Sequence, residues 1–208
     1  MKNYIAKVIM KIYFIINKLK TRIRPIVYWD LPNIIPNIND QISKASRKRP
    51  KCAQLTKVTG AGRIFIGEDC KFGFKLGGGN YCGVIELQPR YKNSLIRIGN
   101  KVATNNNVFL CSAKYIEIGN STRIGQNVTI MDHEAHDIDP LKRSKIGGIG
   151  EVIIGENVWI GNNVVILKDT VIGKNTIVAA GAIVKGNFPE NVIIGGVPAK
   201  VLKKLEIN

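Results

Sequence analysis

A six-residue repeat between Ile154 and Pro189 constrains the fold of this chain more than any other feature. An aliphatic residue returns at every sixth position: Ile154, Ile160, Ile166, Ile172, Val178 and Val184. Neither an α-helix nor an ordinary β-strand has this period. It is typical of a triangular β-solenoid, in which each hexapeptide forms one face and three hexapeptides form a coil. The aliphatic residues are then expected to stack inwards, coil over coil, into one continuous core.

The repeat also extends upstream, which sets the expected domain organisation. The same phase returns at Ile118, and the 36 residues from Ile118 to Ile154 match two full coils. A weaker set of repeats precedes it, with a two-residue bulge at Lys114–Tyr115. We therefore expect an N-terminal segment with a helix over residues 1–54, an all-β parallel solenoid over residues 55–197 and a C-terminal cap over residues 198–208.

The cap is expected to be a short helix over Val201–Leu205. The last coil of a solenoid would otherwise leave apolar groups and strand edges open to solvent.

The N-terminal segment is strongly basic. Residues 1–51 hold 12 Lys/Arg and 2 Asp/Glu, which is +10 of the net charge of +16. Apolar residues recur with helical spacing at Ile5, Val8, Ile9, Ile12, Ile16, Leu19 and Ile23. Three interpretations are open: a helix on an anionic membrane surface, a helix packed on the solenoid or on a neighbouring subunit, or a secretory signal. Lys7 and Lys11 interrupt the apolar run, which argues against a signal.

Other features limit the partners and the compartment. No stretch approaches the ~20 apolar residues of a membrane-spanning helix. The basic run Arg47–Lys51 has no interleaved aromatic residues, so nucleic acid is not an expected partner. The four cysteines, Cys52, Cys70, Cys82 and Cys111, have no C-x-x-C spacing, so no zinc or redox site is expected. We expect a reducing, cytoplasmic compartment, with peripheral membrane contact through residues 1–50 left open.

Both histidines of the chain lie in one polar insertion, residues 131–143. Four carboxylates and two imidazoles share this segment: Asp132, His133, Glu134, His136, Asp137 and Asp139. The aliphatic repeat stops here, so these side chains are expected to project from the solenoid, where a carboxylate can orient an imidazole and raise its basicity. Ordinary surface histidines are the alternative, but functional residues concentrate on loops held by a rigid scaffold, which favours a catalytic site.

Three segments resemble a known family. They are His136–Arg143, which reads His-Asp-Ile-Asp-Pro-Leu-Lys-Arg, Val152–Gly161, which contains Asn-Val-Trp-Ile-Gly, and Pro189–Val201 at the end of the repeat. Together they resemble the hexapeptide-repeat O-acetyltransferases of the maltose and galactoside type. The basic, apolar N-terminal segment is more similar to those of polysaccharide and lipopolysaccharide acetyltransferases.

The resemblance implies a left-handed parallel β-helix, a homotrimer, acetyl-CoA as donor, no metal, and an acceptor site between two subunits. His136 matches the family's catalytic base. The resemblance also implies substrate-binding residues and residues near CoA: Asn105, Arg143 and Trp159 for substrate, and Ala180, Lys185 and Lys200 for CoA. His133, in the same insertion as His136, is expected to bind the acceptor or to orient the loop. Each has an ordinary alternative, since asparagine is common at solenoid corners and exposed tryptophan or lysine is common on solenoid faces.

The resemblance implies acetyl transfer to a sugar hydroxyl, in a surface polysaccharide or its precursor, and a histidine as general base agrees with this chemistry. N-acetylation of a nucleotide-linked amino sugar is the main alternative. A β-helical carbonic anhydrase would need three histidines for its zinc, and this chain has two. A purely structural solenoid would lack the polar insertion.

Overall fold

The computed structural model describes residues 11, 12, 15, 19, 23–34, 42–44 and 49–206. Within these residues the chain forms nineteen strands: β1 Ile42–Lys44, β2 Lys51–Cys52, β3 Thr56–Val58, β4 Arg63–Ile66, β5 Lys71–Phe72, β6 Ile85–Pro89, β7 Leu95–Ile98, β8 Ala103–Thr104, β9 Phe109–Ser112, β10 Tyr115–Ile118, β11 Arg123–Ile124, β12 Thr129–Met131, β13 Glu151–Ile154, β14 Trp159–Ile160, β15 Val165–Ile172, β16 Ile177–Val178, β17 Ile183–Phe188, β18 Val192–Gly196 and β19 Ala199–Lys204. Short helical turns lie at Ile26–Asp30, Leu31–Asn33 and Pro140–Lys142.

The strands stack as a parallel β-helix with three faces. Face 1 contains β1, β4, β7, β10 and β13, face 2 contains β2, β5, β8, β11, β14, β16 and β18, and face 3 contains β3, β6, β9 and β12. Strands β15 and β17 continue around the corner from face 3 to face 1, so these two faces form one sheet of eleven strands. The predicted solenoid is confirmed, and its parallel pairing begins at β1, upstream of residue 55. The three-part division of the chain stays a prediction.

The aliphatic repeat forms the core, as its period predicts. Its members from Ile154 to Val184 are at most 1% exposed. At the corners the backbone enters the left-handed region, most often at asparagine, as at Asn127 and Asn163 with φ of 56° and 57°. Asparagine tolerates this conformation better than most residues, and the stacked side-chain amides of successive corners also bind one another.

The 36 residues between Ile118 and Ile154 form one coil and not the two that were expected. Strand β10 pairs directly with β13, so that Ile118 lies beside Ile154. The additional residues leave the solenoid between β12 and β13, and this excursion has the length of a coil. A period alone cannot distinguish such an excursion from a coil, because the phase after it is unchanged. The two-residue bulge at Lys114–Tyr115 is confirmed, since Ile98 pairs with Ile118 twenty residues later.

Residues 23–34 close the first coil. Trp29 is fully buried and its ring packs 6.4 Å from that of Phe72. Asn33, also fully buried, donates to the Thr56 carbonyl and accepts from the Val58 amide, at 2.8 and 2.6 Å. Of the predicted apolar stripe, Ile12, Leu19 and Ile23 are helical and about half exposed, and its other members lie outside the described residues. No helix of the described part of the chain is long and apolar enough to span a membrane.

The predicted C-terminal capping helix is wrong. The segment Ala199–Lys204 forms strand β19, which pairs antiparallel with β18. Two glycines allow the chain to reverse there. Gly196 adopts a φ of 102°, and Gly195 passes so close to Ala179 that a Cβ on it would lie 2.8 Å from the alanine side chain. The cap is therefore made by pairing the outer edge of β18 with a further strand, which satisfies the open edge directly.

Candidate active site

The excursion between β12 and β13 is an arm that projects from the corner between faces 3 and 1. Its two sides pair antiparallel. The Glu134 amide donates to the Gly148 carbonyl, the Glu134 carbonyl accepts from the Gly147 amide, and the Asp137 amide donates to the Lys145 carbonyl. At the tip of the arm, the Asp139 carboxylate caps the helical turn Pro140–Lys142. The hydrogen bonds that it accepts from Lys142 and from the Leu141 amide lower the pKa of Asp139. The arm thus has its own hydrogen-bond scaffold.

His136 lies exposed on this arm. Its Nδ1 is 2.7 Å from the Arg143 carbonyl oxygen. A carbonyl can only accept, so Nδ1 carries the hydrogen of the neutral ring and Nε2 carries the lone pair. No hydrogen bond from the described residues occupies Nε2. A neutral imidazole with an open, oriented Nε2 is suited to accept a proton from a bound hydroxyl. The partner of His136 is a backbone carbonyl, whereas the carboxylate expected to orient one of the imidazoles lies beside His133.

His133 differs in both respects, because its side chain is fully buried. Its Nδ1 lies 2.9 Å from Asp132 Oδ1, and its Nε2 lies 3.4 Å from Nη1 of Arg90. The guanidinium only donates, so it occupies the lone pair of Nε2. The expectation that the polar side chains of the insertion project outwards is therefore wrong for Asp132 and His133. The buried ring fits a role in holding the arm better than contact with substrate.

Asp132 fixes the base of the arm. It is fully buried, and burial alone raises its pKa. Hydrogen bonds from His133, from the Ala113 amide and from the Ser112 hydroxyl outweigh this effect, so the net pKa lies below its usual value. The carboxylate also accepts from the amides of Lys114 and Tyr115 at 2.9 and 2.7 Å. It therefore ties the arm to the bulged corner of the preceding coil.

Sequence reasoning missed the group that covers the buried imidazole. Arg90 and Cys111 both contact Gln88, through Nε at 2.9 Å and Sγ at 3.0 Å, and the Cys111 sulfur lies 4.0 Å from His133 Nε2. The order Cys111–His133–Asp132 looks like a nucleophilic triad. However, burial raises the pKa of the Cys111 thiol to about 11, so the reactive thiolate is scarce at neutral pH. Arg90, Cys111 and His133 lie in three different coils, so no local sequence motif links them.

The other predicted substrate residues lie elsewhere on the solenoid. Trp159 is on face 2, with its side chain 56% exposed. Asn105 is at the corner between faces 2 and 3, where its Oδ1 accepts from the Asn106 amide and abuts Gly77. Arg143 is exposed on the arm, where its carbonyl holds His136. One chain therefore does not bring His136 together with Trp159 and Asn105.

The residues expected near CoA are similarly divided. Ala180 is exposed at the corner after β16, directly beyond Gly161. Lys200 is exposed on β19 opposite Gly195, near the same corner. Lys185 is exposed on β17 where face 3 turns into face 1. Ala180 and Lys200 therefore lie on one side of the solenoid, and Lys185 lies on another.

Comparison with known proteins gives consistent matches. The family of bacterial transferase hexapeptides (six repeats) matches residues 151–186. A putative lipopolysaccharide biosynthesis O-acetyl transferase of Escherichia coli (strain K12) is 34% identical over 137 residues, which cover 61% of this chain and 70% of that protein. The chain belongs to the hexapeptide-repeat acyltransferases.

Two further members of this acyltransferase family are similar. The galactoside O-acetyltransferase of Lactococcus lactis is 35% identical over 111 residues, which span about half of each protein, 53% in both cases. The crystal structure of a hexapeptide-repeat acetyltransferase from Vibrio cholerae superposes with a TM-score of 0.52 at 27% identity, covering 74% of this chain and 75% of that one.

Family membership makes this chain an acyltransferase, and the geometry limits how it can act. The two histidines lie in different environments, since His136 is exposed and His133 is buried. In the described part of the chain no group of three or more His, Cys, Asp and Glu is arranged to hold a metal ion. Of the two histidines, His136 is the one that is exposed on the arm, with its Nδ1 held by the Arg143 carbonyl.

Proposed function

We propose that this acyltransferase moves the acetyl group of acetyl-CoA to a hydroxyl of a sugar. The observation that carries the proposal is the fixed tautomer of His136, whose Nδ1 is held by the Arg143 carbonyl at 2.7 Å and whose Nε2 is open. A sugar hydroxyl is a poor nucleophile until such a base removes its proton. The E. coli and L. lactis relatives, which are named as O-acetyltransferases, support the same reaction type.

In the proposed reaction His136 Nε2 takes the hydroxyl proton as the acceptor oxygen attacks the thioester carbonyl carbon. The resulting imidazolium keeps its orientation through the Nδ1–H bond to Arg143. When the tetrahedral intermediate collapses, the carbon–sulfur bond breaks and His136 returns the proton to the leaving thiolate. The products are an acetyl ester and free CoA thiol. No acyl-enzyme is needed, which agrees with the raised pKa of the Cys111 thiol.

The proposed active site is shared between subunits of a homotrimer. His136 projects from the corner between faces 3 and 1, whereas Trp159 lies on face 2 and Asn105 at the corner beyond it. A neighbouring solenoid packed alongside could place its face 2 against the arm, so that His136 of one subunit faces Asn105 and Trp159 of the next. Ala180 and Lys200, on the same side as Trp159, would then border the donor, and closed cyclic symmetry repeats the site.

The proposed acceptor is a surface polysaccharide or its precursor, made at the inner face of the membrane. The described N-terminal residues support this placement, because Ile12, Ile15, Leu19, Ile23 and Ile26 form an exposed apolar row at helical spacing. Basic residues around such a row favour binding to anionic lipid. The enzyme would then act from the cytoplasm as a peripheral protein.

The direct test is to incubate the purified protein with acetyl-CoA and a panel of saccharides, and to follow free thiol and the mass of the product. The proposal predicts acceptor-dependent thiol release with an added acetyl group on oxygen, which mild base removes. A panel of nucleotide-linked amino sugars tests the alternative, since an N-acetyl product resists mild base. Thiol release that no saccharide increases would contradict the proposal.

A further inference from the structure

Face 2 carries a column of side chains that lead from the first coil to Trp159. The parallel register places Lys51 beside Lys71, Lys71 beside Ala103, Ala103 beside Arg123 and Arg123 beside Trp159. We call these five residues the face 2 column. All three cations are exposed, as is Trp159. The column therefore joins a row of positive charge to the tryptophan of the proposed acceptor site.

Within the described residues, none of Lys51, Lys71 and Arg123 forms an ion pair, and the strands of face 2 contain no Asp or Glu. The other faces differ. On face 1, Glu151 of β13 pairs with Lys114 at the corner before β10 at 2.9 Å, and on face 3 Lys57 lies beside Glu86. Among the described strands, face 2 therefore carries three cations without an ion pair and no carboxylate, while Glu68 and Asp69 lie at the corner before β5.

The spacing of the column suits an extended ligand. Neighbouring strands are ~4.8 Å apart, so the three strand steps from Lys51 to Arg123 span about 14 Å, and Trp159 is one further step away. Like charges directly opposite one another are unfavourable, and Lys51 lies directly beside Lys71. An anionic chain laid across the strands would relieve this repulsion and would also give Arg123 a partner.

We propose that the acceptor is an acidic saccharide chain whose carboxylate or phosphate groups lie on Lys51, Lys71 and Arg123 while one sugar ring packs on Trp159. The inference rests on the proposed function, because it names the chemical class of the acceptor for that same site. A neutral oligosaccharide would leave the three cations without a partner. Anionic lipid headgroups share the same charge chemistry, so the experiment includes them as a separate arm.

The test measures binding of tetragalacturonic acid and of its methyl ester to the full-length protein by calorimetry, without an acetyl donor. The two ligands differ in charge and have the same sugar backbone. The expected result is salt-sensitive binding of the acid and at least tenfold weaker binding of the ester. Equal affinity for both, or no binding of the acid at low salt, would overturn the proposal. Because no acetyl transfer is measured, failure here is distinguishable from failure of the proposed reaction.

Matched variants locate the binding. Each of Lys71→Gln and Arg123→Gln is expected to weaken binding of the acid about two- to five-fold, the usual range for an exposed ion pair. Arg63→Gln removes one charge from the same coil as Lys71, but on face 1, and is expected to leave the affinity unchanged. An equal loss in Arg63→Gln would overturn the proposal, since net charge alone would then explain binding. Arg123-dependent binding to phosphatidylglycerol vesicles without binding of the acid would overturn it in favour of lipid.

Discussion

The two histidines differ in the partner that holds Nδ1. Arg143 holds His136 through a carbonyl on an exposed arm, and Asp132 holds His133 through a buried carboxylate. A carboxylate beside an imidazole is often taken as the mark of a catalytic base. Here the Asp132–His133 pair is buried, and Arg90 occupies the Nε2 atom of His133. The catalytic assignment therefore depends on which Nε2 a substrate can reach.

Replacing Asp132 with Asn tests its structural role through pH. The pKa of Asp132 lies below the ordinary value of 3.8 for an aspartate. The carboxylate therefore stabilises the fold above that pH and loses this contribution as the pH falls through the lowered pKa. Asp132→Asn should destabilise the protein by about 3–5 kcal/mol at pH 7, because four donors and His133 lose a buried charge.

Urea unfolding at pH 7 and at pH 3 measures this contribution. The difference in the free energy of unfolding between the variant and the wild type should be smaller at pH 3 than at pH 7. A difference of the same size at both values would mean that the charge of Asp132 contributes nothing. Asp137→Asn on the more exposed part of the arm is the control, and its effect should be below about 0.5 kcal/mol.

At the scale of elements, the sequence predicted the strands that follow the six-residue period and missed the segments that do not follow it. The faces of the solenoid and the Lys114–Tyr115 bulge follow from the spacing of aliphatic residues. The arm had the length of a coil, so the 36 residues from Ile118 to Ile154 were assigned to two coils. The expectation of a helix at Val201–Leu205 rests on the need to cover the last coil, and strand β19 meets the same need by pairing with β18. Pairing with β18 decided its conformation, and the sequence does not display that long-range contact.

The asparagine corners provide a prediction on an element. Asn127 combines a φ of 56° with a side chain that donates to Asn163 at 3.0 Å and accepts from Asn107 at 3.3 Å. Asn127→Ala should lower the free energy of unfolding by about 1–2 kcal/mol, the cost of an ordinary side chain in the left-handed region. Asn127→Gly keeps the backbone conformation and loses only the exposed side-chain bonds, so it should cost less than half as much. Equal losses in thermal unfolding would refute the backbone explanation.

At the scale of the whole molecule, the candidate site residues lie on different sides of one solenoid. His136 was predicted from its motif and Trp159 from Asn-Val-Trp-Ile-Gly, but neither motif says how the two residues are placed relative to one another. The structure places them on opposite sides of one chain. Arg90 and Cys111 could not be predicted, because their partner His133 is brought to them only by the stacking of coils.

A homotrimer is the expected assembly, because a single chain gives the site only one wall. Light scattering should give a mass of three times 22.9 kDa. Mixing His136→Ala subunits with Trp159→Ala subunits under reversible dissociation should restore part of the activity, since some mixed interfaces would carry both intact residues. A monomer with full activity would contradict the shared site.

Removal of residues 1–22 tests membrane contact without disturbing the cap formed by residues 23–34. The deletion removes six Lys/Arg, each worth about 1 kcal/mol near an anionic leaflet. Binding to anionic vesicles should weaken strongly and lose its salt dependence, while transfer to a soluble sugar should be unchanged. Deletion through residue 34 is the contrasting variant and should destabilise the fold, because it removes Trp29 and Asn33. If the shorter deletion dissociates the trimer, the segment packs between subunits and the membrane proposal fails.

The most direct test of the account is the steady-state rate of acetyl transfer by His136→Ala and His133→Ala, measured with the saccharide that the acceptor panel selects. His136→Ala should lower kcat about 10²–10⁴-fold, the usual loss when a general base is removed, and should unfold at the same temperature as wild type because the ring is exposed. His133→Ala should lower the unfolding temperature, and its folded fraction should turn over within about tenfold of wild type. Near-full turnover in His136→Ala, with loss of turnover in folded His133→Ala, would contradict the assignment of His136 as the base.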